Sequence, residues 1–152
     1  MKKYFISAML LVLCIAMVMS SCGKNAVKSP ENLKKELEEM GATVFVYSSS
    51  DTAKYKSMAN LFGLDESKMS GVTNILIAEA GDGSADPRPL IIFYCSSVNA
   101  TNTVFDSAKG SLNEIAKFIG FNSADECNLM KLDNTVMVGH MDMINMARSY
   151  FG

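Results

Sequence analysis

The stretch "PLIIFYCSS", Pro89 to Ser97, decides how the fold must be built. In an extended chain, successive side chains point to opposite faces, so a strand with one wet face alternates apolar and polar residues. Leu90, Ile91, Ile92, Phe93 and Tyr94 are apolar at both parities. Both faces of this strand must therefore be covered. The same double-sided pattern recurs in "TVFVY" (43–47), "NILIA" (74–78) and "TVMV" (135–138). A sheet built from these strands needs a layer on each side.

The candidate layers lie around the strands. "SPENLKKELEEMG" offers Ser29 as a cap, Pro30 at the first helical position, Leu33, Leu37 and Met40 as an apolar stripe, and Gly41 as a stop. "SDTAKYKSMANLFG" predicts a second helix, from Ser50 to Gly63. "TVFDSAKGSLNEIAKFIG" predicts a third, with Val104, Phe105, Ala108, Leu112, Ile115 and Ile119 on one face. "MDMINMARSYF", Met141 to Phe151, predicts a last one. "VTNILIAEAG" and "PLIIFYCSS" read as a hairpin across the Asp82–Arg88 loop, and "DNTVMVGH" as a fourth strand. The resulting order, βαββαβ with an extra helix at each end, is that of the ferredoxin-like split βαβ fold, an α+β class with a four-stranded, mainly antiparallel sheet in order 4-1-3-2. The terminal helices are expected to cover the second face; otherwise that face is left for a second copy or a protein partner.

Composition sets the outer limits. The chain has 152 residues, 49% hydrophobic and 20% charged, which suits one globular domain. All 16 acidic residues but only 12 of the 14 basic ones follow Ser21, a balance of −4. Nucleic acid is thereby disfavoured as a partner, because phosphate binding needs clustered cations.

"MKKYFISAMLLVLCIAMVMSSC", Met1 to Cys22, has two lysines, an apolar run and then small residues, the layout of a secretory signal. The run from Tyr4 to Met19 falls short of the roughly 20 residues a membrane span needs. Its end, "MSSC", resembles the lipobox of bacterial lipoproteins, with Met19 where leucine is usual. The resemblance implies cleavage after Ser21, acylation of Cys22, and attachment to a membrane through that anchor, outside the cytoplasm in the cell envelope. Residues 22–29 then form a lipidated tether and 30–152 a single α+β domain.

Few residues of that domain suggest chemistry. His140, Met143 and Met146 fall at successive i,i+3 positions, and soft thioether and imidazole ligands suit Cu(I). The same methionines equally suit an irregular core. Cys95 and Cys127 are candidate disulfide partners in an oxidising compartment, or buried thiols. Cys95 with His140 would be the one candidate nucleophile–base pair, although the expected strand order holds the two about 10 Å apart. Asp82, Ser84 and Asp86 lack the glycine and bidentate glutamate of a calcium loop. No cofactor is implied. These readings favour a non-enzymatic binding or accessory module, with a Cu(I)-binding protein and a thiol enzyme as rivals.

Overall fold

The computed structural model describes residues 29–61, 64–81 and 87–151. The expected signal segment, Cys22 and most of the tether lie outside these residues, as do Gly63 and the Asp82–Asp86 part of the loop.

In chain order the elements are α1 (Pro30–Glu39), β1 (Ala42–Ser48), α2 (Thr52–Leu61), a 3-10 turn (Glu66–Met69), β2 (Val72–Ala80), β3 (Arg88–Cys95), α3 (Val98–Gly110), α4 (Leu112–Phe118), a second 3-10 turn (Ala124–Glu126), β4 (Asn128–Leu132), β5 (Thr135–Gly139) and α5 (Met141–Phe151). This is an α+β fold with a five-stranded antiparallel sheet and five helices among the described residues.

The double-sided apolar strands have the expected consequence. Ile91 and Phe93 of β3 join Ile75, Val136 and Val138 beneath α2, α3 and α4, which contribute Tyr55, Ala59, Val104, Ala108 and Ile115. Leu90, Ile92 and Tyr94 point the other way, with Val44, Leu76 and Met137, onto Leu33 and Leu37 of α1 and Met143, Ile144, Ala147 and Phe151 of α5. The sheet is thus the middle of three layers. Burying Phe93 completely on one side and Ile92 completely on the other leaves β3 as the centre of the molecule. The terminal helices therefore cover the second sheet face, as the strand pattern requires.

The strand order differs from the expectation. It runs β1-β2-β3-β5-β4, all antiparallel, rather than 4-1-3-2. In a split βαβ unit the first helix is a crossover between parallel strands, but here α2 leaves and returns on the same side of β1. Seven successive pairs, from Ala42↔Ala80 to Ser48↔Asn74, then join β1 directly to β2. The strand not expected is β4, "NLMKL", which turns back through Asp133 and Asn134 so that Leu132 faces Thr135. Asp133 takes φ +48°, a left-handed conformation that Asp and Asn tolerate better than most residues. The expected fourth strand began at these two turn residues, which hid the hairpin.

The helix expected over 103–120 is two helices, α3 and α4, parted at Ser111. α3 begins earlier than expected because the Ser97 hydroxyl accepts from the Ala100 N–H at 3.2 Å. At the other end of β3, Gly139 sits at φ +148°, and a Cβ there would come 2.2 Å from the Pro89 carbonyl oxygen. Only glycine permits β5 to approach β3 so closely before the chain turns into α5.

Candidate functional site

The antiparallel pairing of β3 with β5 places the expected chemistry at opposite ends of the sheet. Leu90 pairs with Gly139 and Tyr94 with Thr135. Cys95 accordingly lies at the Asn134 end, where its N–H donates to the Asn134 carbonyl at 2.7 Å. His140 lies at the other end, its N–H donating to the Pro89 carbonyl at 2.8 Å. Six residue steps of strand, or ~20 Å at ~3.4 Å each, separate them. Cys95 and His140, expected about 10 Å apart near one sheet edge, lie at opposite ends instead, because β3 and β5 are neighbours running in opposite directions.

The same register bears on Cys95 and Cys127, candidate disulfide partners or buried thiols. Cys127 immediately precedes β4, whose first residue, Asn128, faces Gly139, so it belongs to the His140 end. A disulfide needs Cα atoms within about 7 Å. In this structure Cys95 and Cys127 are two separate, buried, free thiols, the second of those alternatives. Burial raises the pKa of Cys95, with a hydrogen bond from Thr101 opposing it. Burial likewise pushes Cys127 up to about 11, against a hydrogen bond from the Gly139 backbone. A nucleophilic cysteine requires the opposite, a stabilised thiolate. Beside Cys95, the Tyr55 phenol is pushed up to about 12 by burial and by that thiol. Its hydroxyl lies 2.8 Å from the Val72 carbonyl and 3.0 Å from that of Met69, where it ties α2 to the start of β2.

The His140, Met143 and Met146 positions separate by environment. His140 precedes α5, and its Nδ1 accepts from the Asp142 N–H at 3.3 Å, capping the helix. Its Nδ1 is also 3.8 Å from the Asp142 carboxylate. Met143 is fully buried among the apolar residues of the second core, and Met146 packs, partly buried, against it. Met141, on another side of the helix, is 40% exposed. Among the described residues no cluster of three or more His, Cys, Asp and Glu side chains is gathered for a metal.

What the surface does offer is a cleft at the free edge of β1. It encloses about 750 Å³ and is open to solvent. Lys34 of α1 lies on one side, Phe45, Val46 and Tyr47 of β1 form its floor, and Lys54 and Met58 of α2 lie on the other. Phe45, in the middle of the strand, is 54% exposed. The helices explain why: α1 covers one face at β1, while on the other face α2 begins beyond Ser48 and leaves Phe45 uncovered. The charges around the cleft are mixed, with Lys34 3.8 Å from Glu38 and Lys54 3.6 Å from Asp51. Sequence reading missed this feature, because it depends on β1 being an edge. Its local signal is an aromatic residue at the centre of an uncharged strand.

No helix among the described residues is long and apolar enough to cross a membrane. Comparison with models of protein families, with curated proteins and with solved structures found no match to this chain.

Proposed function

We propose that this protein is a bacterial lipoprotein, held outside the cytoplasm by an acylated Cys22, whose domain serves as a binding or accessory module of the cell envelope. The observation that carries the reading is the register of "MSSC" behind a lysine-led apolar run, with only six residues, Gly23 to Lys28, before the helix cap at Ser29. Two or more acyl chains on one residue give stable anchoring, whereas a single chain binds only marginally. So short a tether keeps the domain near the bilayer. The burial of both thiols and the separation of Cys95 from His140 favour a binding module over a thiol enzyme. The placement of Met143 in the core favours it over a copper carrier.

Feeding cells a labelled fatty acid tests the anchor. Label and membrane association are expected in the parent and lost in Cys22→Ser. A Cys22→Ser protein that still takes up label refutes the proposal.

A further inference from the structure

The two terminal helices share the second core, and a side-chain bond joins them above it. Met40 caps the C-terminal end of α1, and its Sδ accepts from the Tyr150 hydroxyl, near the end of α5, at 3.3 Å. A thioether is a weak acceptor, so in this state the contact adds little to the hold of one helix on the other. The same residue is open to reagents. Met40 is 43% exposed, whereas Met137 and Met143 of the core beneath are completely buried. Met141, at the start of α5, is exposed to a similar degree, but among the described residues no hydroxyl donates to its sulfur.

We propose that Met40 is a reversible oxidation site, with a peroxide as the oxidant, and that its sulfoxide tightens the junction of α1 and α5 through Tyr150. The inference is independent of how the protein is anchored. A sulfur lone pair attacks one peroxide oxygen, so that the S–O bond forms as the O–O bond breaks. The proton of the attacked oxygen passes to the hydroxide that leaves, which makes water. Sulfur is oxidised by two electrons and the peroxide is reduced by the same two.

The placement of Tyr150 sets the direction of the effect. Its hydroxyl engages one lone pair of the sulfur and leaves the other for the attack. Rotation of the exposed Met40 side chain then turns the new oxygen toward the hydroxyl. A sulfoxide oxygen carries far more negative charge than a thioether sulfur, so the same O–H donates to a stronger acceptor. Methionine oxidation ordinarily disrupts a fold because it forces a polar group into apolar packing. At Met40 the polar group forms at the surface with a donor already beside it, and the junction gains a bond instead of losing packing.

Treating the full-length chain in detergent with dilute hydrogen peroxide, followed by peptide mass mapping and amide hydrogen exchange, tests the site. Met40 and Met141 are expected to gain one oxygen on the order of tenfold faster than Met137 and Met143. In the oxidised parent the amides at the ends of the two helices, 37–41 and 147–151, should exchange about threefold more slowly than before oxidation. Tyr150→Phe keeps the ring and removes the donor, so it should lose this slowing while Met40 still takes up oxygen. Met40→Leu should show no slowing, and Met141→Leu should behave as the parent. A methionine sulfoxide reductase should return the parent to its original exchange rates. Met40 reacting no faster than Met143, exchange that is unchanged or faster at both helix ends after oxidation, or a slowing that persists in Tyr150→Phe overturns the proposal.

Discussion

Leu37 gives the sharpest measure of whether the second face of the sheet is a true core. Its side chain is completely buried, projecting from α1 onto Leu76, Ala78 and their neighbours. Leu37→Ala removes three carbon atoms, worth roughly 2.4 kcal/mol at ~0.8 kcal/mol per buried methylene. A partly collapsed cavity adds on the order of 1 kcal/mol, for a total of about 3 kcal/mol. With a urea dependence of about 2 kcal/mol per molar, the unfolding midpoint should fall by about 1.5 M. Urea titrations followed by circular dichroism read this directly, with parent and variant at equal protein concentration. Lys35→Ala, two residues away with a side chain 79% exposed, serves as the control and should stay within about 0.5 kcal/mol of the parent. If Leu37→Ala also stays within that range, α1 is not a structural layer and the three-layer account fails.

Other consequences follow from single sites. Gly139→Ala combines a left-handed φ with a Cβ 2.2 Å from the Pro89 carbonyl oxygen, so it should cost at least about 2 kcal/mol in the same titration. Met143→Leu conserves volume in the second core and should cost less than about 1.5 kcal/mol, whereas Met143→Ala should cost about 2–5 kcal/mol. Cys127, raised to about 11, keeps its proton in the folded state after the unfolded chain has lost it. Stability is therefore fully present below pH 9 and lost as pH rises from about 9 toward 11, with Cys95 acting in the same direction. Melting temperatures across that range should fall less steeply in Cys127→Ala than in the parent.

The layering was legible in the sequence because it is a local property. Each of Leu90 to Tyr94 reports the polarity of its own surroundings, and five in a row report both sides of the sheet. The caps and stops of α1, Ser29 with Pro30 and Gly41, were legible for the same reason. Strand order was not, since it depends on which distant segments meet. The turn residues Asp133 and Asn134 lead straight into "TVMV" and look like the start of its strand, which hides "NLMKL" before them. That one ambiguity, together with the crossover wrongly expected of α2, moved Cys95 and His140 to the same sheet edge. The cleft at Phe45 was illegible for a related reason: exposure of a strand residue follows from where its strand ends up.

Where the mature chain begins decides how the protein is held. Mass spectrometry of the N-terminal peptide from the membrane-extracted protein measures this directly. The expected result is a peptide beginning at Cys22, lacking residues 1–21 and heavier by the mass of its acyl chains. A peptide beginning at Met1, or an unmodified Cys22, would contradict the account.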